Sequence, residues 1–273
     1  MANDFRFQDG VAVITGAASG IGTGLARKAL SLNMRVVLAD IQAEALNAFA
    51  KTLTGEVLAV PTDVSDPAAV EALAQRAWDT YGGVDLLFNN AGVMATGFIW
   101  EIEPERWQRS FGVNVFGILN GIRSFVPRML KAGTPAHIVN TSSIGGFLPS
   151  PMMAPYSTTK FAVVGLTESL HGEMQILQAP IGVSLLAPGP VKTGIFDDPF
   201  GTTVPPAAQQ LVDILRTMLA TQGLTPDEFA ERVFAGINRG DFWLIPQPES
   251  LDALLRQRVE NILAGRNPEL PQL

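Results

Sequence analysis

Val11-Ala12-Val13-Ile14-Thr15 is an apolar, β-branched run that stops at Gly16-Ala17-Ala18-Ser19-Gly20-Ile21-Gly22, after which Leu25, Ala26, Ala29 and Leu30 repeat at helical spacing. A strand that enters a helix through such a turn leaves few folds open. The glycines let backbone approach a phosphate closely, and the free amides and positive dipole end of the helix suit a pyrophosphate. Ordinary tight packing would use the same glycines, so the rest of the chain has to decide. The spacing is Gly-x-x-x-Gly-x-Gly, one residue off the Gly-x-Gly-x-x-Gly of the commonest dinucleotide fingerprint.

Residues 35–39 read as a second strand ending at Asp40. A carboxylate there can accept hydrogen bonds from an adenosine ribose and would repel a 2′-phosphate; it can equally cap a helix beginning near Gln42. Val57–Pro61 reads as a third strand, Pro67–Tyr81 as an amphipathic helix, and 84–88 as a fourth strand running into Asn89-Asn90-Ala91-Gly92. A long helical region over 106–131 holds Asn114 among apolar neighbours, where an amide needs a partner. A strand-like run at 137–141 precedes Ser143 and the turn-permitting Gly145 and Gly146. Residues 181–187 read as a sixth strand, 226–238 as a helix, 241–245 as a last strand, and 249–263 as a terminal helix reaching about 265. Strands alternate with helices throughout. This predicts one α/β domain over 1–273, a doubly wound parallel sheet with helices on both faces. No internal repeat or interdomain linker interrupts it.

The acid–base candidates lie at 141–160. Tyr156 and Lys160 are four residues apart, and Phe161, Val164, Leu166 and Leu170 continue at helical spacing, so both side chains leave one helix face. Pro155 suits the start of that helix. A free phenol, with a pKa of about 10, is a poor base near neutrality, but a neighbouring ammonium favours the phenolate. Ser143 can hydrogen-bond the reacting oxygen. An accidental surface pair has the same spacing, so other residues must carry the weight.

Composition removes several function classes. The 273 residues are 47% hydrophobic and 16% charged, enough for a large core. With no cysteine there is no disulfide, thiolate catalysis or cysteine metal site, and His137 and His171 are far apart, so no metal site is expected. A net charge of -7 without a basic cluster argues against nucleic acid or an anionic membrane as partner and favours a small neutral substrate. Met1 to Phe7 carries no basic region followed by an apolar run, and no uncharged apolar segment reaches about 18 residues, so a cytoplasmic protein is expected.

Taken together, Thr15 to Gly22, Asn89-Asn90-Ala91-Gly92, Ser143, Tyr156-x-x-x-Lys160 and Pro188-Gly189-Pro190-Val191-Lys192-Thr193 resemble the motifs of a classical short-chain dehydrogenase/reductase, in order and over nearly the whole chain. The resemblance implies a Rossmann-type sheet of seven strands in the order 3-2-1-4-5-6-7. It implies a nicotinamide dinucleotide held by Gly16, Ser19, Gly20, Ile21 and Gly22, by Asp40 and Ile41, by Asp63 and Val64 beside the adenine, and by Asn90, Ala91 and Gly92. Pro188, Gly189, Val191 and Thr193 would hold the carboxamide, and Lys160 the nicotinamide ribose next to Tyr156. Asp63 also fits a plain turn residue. Relatives that prefer the phosphorylated cofactor often carry a cation where Ser19 and Ile41 stand here, so NAD is expected over NADP.

Tyr156 would take the alcohol proton, Ser143 would orient the oxygen, and Asn114 would anchor a proton-relay water, although a satisfied core asparagine fits that position too. A connection over 194–224, helical near 207–219, is long enough to cover a substrate. Met94, Ser143, Phe147, Met153 and Phe196 suggest a pocket for a bulky apolar alcohol, core or subunit contact being the alternative. Phe242-Trp243-Leu244-Ile245-Pro246 and Ser142-Ser143-Ile144-Gly145-Gly146-Phe147 are similar to bacterial members that oxidise benzylic alcohols of lignin-derived aryl ethers. A homodimer or homotetramer through the helices around Asn114 and Tyr156 is implied. The rival functions are reduction of a carbon-carbon double bond, for which relatives space Tyr and Lys more widely, carbonyl reduction with NADP, and non-catalytic NAD sensing.

Overall fold

The computed structural model describes residues 7–202 and 204–268. The first six residues, read above as lacking a leader, and the end of the proline-containing tail lie outside the described residues. In chain order the elements are β1 Val11–Thr15, α1 Gly20–Ser31, β2 Arg35–Asp40, α2 Ala43–Ala50, β3 Val57–Pro61, α3 Pro67–Tyr81, β4 Leu86–Asn89, α4 Pro104–Phe111, a π turn Gly112–Phe116 and α5 Gly117–Ala132. Then follow β5 Ala136–Thr141, a 3-10 turn Ile144–Gly146, α6 Ala154–Ile176, β6 Ile181–Leu186, α7 Pro206–Gln222, α8 Pro226–Arg239, β7 Trp243–Leu244, a 3-10 turn Pro248–Ser250 and α9 Asp252–Leu263.

The seven strands form one sheet in the order β3-β2-β1-β4-β5-β6-β7, every pair parallel. Alternation along each strand divides the core. Ala12, Ile14, Val36, Leu38 and Phe88 face α1 and α8, where Leu25, Ala29, Phe229 and Phe234 close that layer. Val11, Val13, Val37 and Leu87 face Leu73, Ala77, Phe125 and Met174 of α3, α5 and α6 on the other side. Burial on both faces is why β1 reads as an unbroken apolar run instead of an alternating one. The order reverses between β1 and β4, so their carboxyl ends diverge and open a crevice there.

Some boundaries differ from the sequence reading. The fourth strand begins at Leu86, and just before it the Asp85 carboxylate accepts from the Val11 amide at 2.7 Å. The last strand is only Trp243–Leu244, and the terminal helix begins at Asp252, after Pro248 has opened a separate 3-10 turn. The long helix around Asn114 is broken by the π turn, which apolar periodicity does not reveal. Among the described residues no helix is long and apolar enough to cross a membrane.

Candidate active site

The crevice at the carboxyl ends of the strands is a cavity of about 690 Å³. Its wall includes every cofactor-contact residue expected above except Gly22: Gly16, Ser19, Gly20, Ile21, Asp40, Ile41, Asp63, Val64, Asn90, Ala91, Gly92, Tyr156, Lys160, Pro188, Gly189, Val191 and Thr193. Gly22 is buried and has a packing role instead: a Cβ there would stand 2.1 Å from the Gly16 carbonyl oxygen, so the helix could not sit against its own turn. Gly16 has φ 65, and a Cβ on it would stand 2.8 Å from Ala91 Cα. Bare backbone therefore faces the cavity where a diphosphate needs close approach. Ser19 precedes α1 without capping it through its side chain, so the first amides of that helix stay available to an anion.

Thr15 ties this turn to the loop after β4. Its hydroxyl donates to the Phe88 carbonyl at 3.2 Å and accepts from the Asn90 and Ala91 amides at 2.9 and 3.1 Å, while the Asn90 amide group donates to the Thr15 carbonyl at 2.9 Å. Asp40 has both roles open to it. Its carboxylate accepts from the Ala18 and Gln42 amides, each at 3.0 Å, holding the glycine turn and leading into α2, and it also lines the cavity. Asp63 accepts from the Ser65 amide and hydroxyl, the turn role, and lines the cavity as well.

Ser143, Tyr156 and Lys160 meet in the same cavity. The Ser143 hydroxyl accepts from the Gly145 amide at 3.0 Å, and a Cβ on Gly145 would lie 3.3 Å from Tyr156 Cε1, so glycine lets the 3-10 turn lie flat against the phenol ring. Burial pushes the Tyr156 phenol up, and the Ser143 hydroxyl draws it down by less. This corrects the expectation of a phenol already lowered by its neighbour: the Lys160 ammonium is 5.6 Å from the Tyr156 ring centre and donates to the Thr141 carbonyl at 2.9 Å. Burial in turn holds Lys160 down to about 8.

Asn114 is fully buried in the π turn. Its carbonyl accepts from the Val93 amide at 2.8 Å, and its amide donates to the Val93 carbonyl and the Thr159 hydroxyl, both at 3.0 Å. Both side-chain donors are spent on protein, which is the satisfied-asparagine arrangement. The side chain fixes the loop after β4 against α6, which carries Tyr156.

Of the residues expected to touch substrate, Met94, Met153 and Phe196 join one apolar cluster with Leu211 and Val212, and Tyr156 packs against it. Phe147 does not join them. The 3-10 turn carries it into a different cluster, where its ring meets Trp243 at 5.8 Å. The covering segment is anchored near its start. Thr96 donates from its amide and hydroxyl to the Pro199 carbonyl, Arg106 donates to the Asp198 carbonyl at 2.9 Å, and Arg216 donates to the Phe196 carbonyl at 2.6 Å. Arg109 and Val113 also line the cavity and were missed in the sequence. Their spacing of four, ending one residue before Asn114, is the signal that was there.

Residues 10–200 match the family described as short chain dehydrogenase. A C alpha-dehydrogenase from Sphingobium sp. is 33% identical over 91% of this chain and 84% of its own. A CLA biosynthesis dehydrogenase/reductase from Lactiplantibacillus plantarum is 30% identical over 97% of this chain and 96% of its own. A crystal structure of a short chain dehydrogenase/reductase from Burkholderia phymatum in complex with NAD is 41% identical, covers 98% of this chain and 99% of its own, and superposes with a TM-score of 0.94. With the parallel sheet, the glycine turn and the Ser143, Tyr156 and Lys160 cluster, these findings place the chain in the short-chain dehydrogenase family of oxidoreductases.

Proposed function

We propose that this oxidoreductase interconverts a secondary alcohol and a ketone with NAD, and that the alcohol carries a bulky apolar or aryl group. The observation that carries the reading is the convergence of Ser143, Tyr156 and Lys160 on one cavity with the glycine turn and Asp40. Asp40 supports NAD over NADP, because its carboxylate would repel a 2′-phosphate and neither Ser19 nor Ile41 supplies a cation to offset that. The NAD-bound relative from Burkholderia phymatum supports it too.

When bound, the nicotinamide supplies the acceptor for the carbon-bound hydride. The protein does the rest. Ser143 donates a hydrogen bond to the substrate oxygen and fixes it beside the phenol. Tyr156 as phenolate takes the hydroxyl proton, a transfer worth about 10²–10⁴ in rate. Lys160 would hold the nicotinamide ribose; its ammonium, 5.6 Å from the Tyr156 ring centre, does not by itself offset the burial that raises the phenol. The glycine turn, Asp63 and Val64, Asn90 to Gly92 and Pro188 to Thr193 would bind the remaining parts of the dinucleotide. Asn114 would anchor a proton-relay water through an acceptor oxygen, its side-chain donors being spent on protein.

The apolar cluster of Met94, Met153 and Phe196 beside Tyr156 supports a bulky apolar substrate, and the likeness to a C alpha-dehydrogenase points the same way. The test is a panel of aryl and aliphatic secondary alcohols offered with NAD or NADP, followed by the absorbance of the reduced nicotinamide. Turnover with NAD and an aryl alcohol is expected. Tight NAD binding with no turnover on a broad panel would turn the assignment to a sensor, and preference for NADP would reverse the role given to Asp40.

A further inference from the structure

Gln247 lies three residues beyond β7 with its side chain buried, 3% exposed. Its amide nitrogen donates to the Pro190 carbonyl at 2.7 Å, in the loop 188–193. Of that loop, Pro188, Gly189, Val191 and Thr193 line the cavity, and Gln247 does not, so the glutamine touches the loop from behind.

Hydrogen-bond satisfaction does not account for a glutamine at this place. The Pro190 carbonyl already accepts from the Leu224 amide at 3.1 Å, and the Gln247 side-chain oxygen Oε1 is buried without a partner. A half-satisfied buried amide is costly beside an apolar side chain of the same length, so it calls for a reason. Gly189 supplies one. A Cβ on Gly189 would stand 3.1 Å from Gln247 Oε1, 3.3 Å from Gln247 Cβ and 3.2 Å from Ser250 Oγ. Gln247 and Ser250 thus fill the space a side chain would take, and the Gly189 backbone rests on the glutamine while bordering the cavity.

The glutamine is itself fixed. The Arg232 guanidinium donates to the Pro246 carbonyl at 2.7 Å, and the Ala187 amide, just before the loop, donates to the Leu244 carbonyl at 2.8 Å. Pro188 and Pro190 have no amide hydrogen, so neither can offer a backbone donor to hold the loop in place. Anchorage must come through carbonyls, and at Pro190 the side chain of Gln247 provides part of it.

We propose that Gln247 is a positioning residue for the nicotinamide: by holding the Pro190 carbonyl and backing Gly189, it sets the loop 188–193 at the height the carboxamide requires. The inference rests on the reading above that this loop binds the nicotinamide end of the dinucleotide.

The test compares NADH with ADP-ribose, which carries the adenosine and the diphosphate but no nicotinamide, by calorimetric titration of the wild type and Gln247→Met. Methionine keeps the length of the side chain and removes the donor. It should weaken NADH about tenfold, the size of one lost hydrogen bond, and leave ADP-ribose within about twofold of the wild type. A residue that only supports the fold would weaken both ligands together or neither, and either result would overturn the inference. Should Gln247→Met not fold, Gln247→Leu takes its place in the same comparison; failure of both to fold would make Gln247 a residue of the fold and overturn the inference too. A wild type that binds NADH no more tightly than ADP-ribose would instead refute the reading of the loop as the nicotinamide site.

Discussion

Lys160 donates its ammonium hydrogen bond to the carbonyl oxygen of Thr141 at 2.9 Å, across the end of β5, and not to the phenol of Tyr156 one helical turn before it. The pair therefore shares a cavity without sharing a proton. Burial disfavours both charged forms, raising the phenol and lowering the ammonium. The base needed for alcohol oxidation is thus held in its protonated form until something near it favours the phenolate.

The first consequence concerns pH and rate. Because the phenol is raised, the reactive phenolate becomes more populated as pH increases. Alcohol oxidation should climb towards alkaline pH, while ketone reduction, which needs the neutral phenol, should hold at neutral pH and decline on the alkaline side. Initial rates in the two directions across a pH series check this; parallel profiles would contradict it.

Stability should carry the signature of Lys160. Its folded value of about 8 lies below the unfolded value of 10.5, so the folded state binds fewer protons between those two values. Below about pH 8 both states are protonated and the cost of burying the charge is fully present; above 10.5 both are neutral and it is gone. Relative to Lys160→Met, the wild type should gain roughly 3 kcal/mol as pH rises through that window, an upper figure from about 1.4 kcal/mol per pKa unit. Denaturant unfolding of the two proteins at pH 7.5 and 10.5 measures the difference.

Asp40→Ser removes the carboxylate while keeping a small polar residue. NAD affinity should drop about tenfold and NADP affinity should rise. Loss of acceptors for the Ala18 and Gln42 amides should cost about 1 kcal/mol of stability. Fluorescence titration with both reduced cofactors separates these effects, and unchanged cofactor preference would show that Asp40 is a turn residue only.

Gly22→Ala tests the turn. A Cβ 2.1 Å from the Gly16 carbonyl forces α1 away from its own loop, so cofactor affinity should fall well over tenfold and the protein should lose about 1–3 kcal/mol. Reduced-cofactor titration beside thermal unfolding reads both. Retained affinity would mean that the turn can relax.

Much of this architecture is legible in the sequence because its signals are local. Unbroken apolar strands such as Val11–Thr15, amphipathic helices such as Pro67–Tyr81 and the glycine turn each declare themselves over a few residues, and alternation of strand and helix leaves the parallel sheet as the simple solution. The features that escape depend on backbone detail or distant partners. The π turn at Asn114 is a backbone detail that apolar spacing over five residues does not declare, and the Lys160 bond to Thr141 joins residues nineteen apart. Phe147 follows a motif that faces the cavity, but a single 3-10 turn swings it to Trp243. Nothing in the sequence marks Met152 as left-handed, since methionine carries no turn propensity.

The most direct measurement is a comparison of the wild type with Tyr156→Phe under saturating NAD and an aryl secondary alcohol, with cofactor affinity of both proteins determined separately. The account predicts that the variant binds the reduced cofactor within about threefold of the wild type while turnover falls by about 10²–10⁴. Turnover by the variant within tenfold of the wild type would contradict the assignment of Tyr156 as the base.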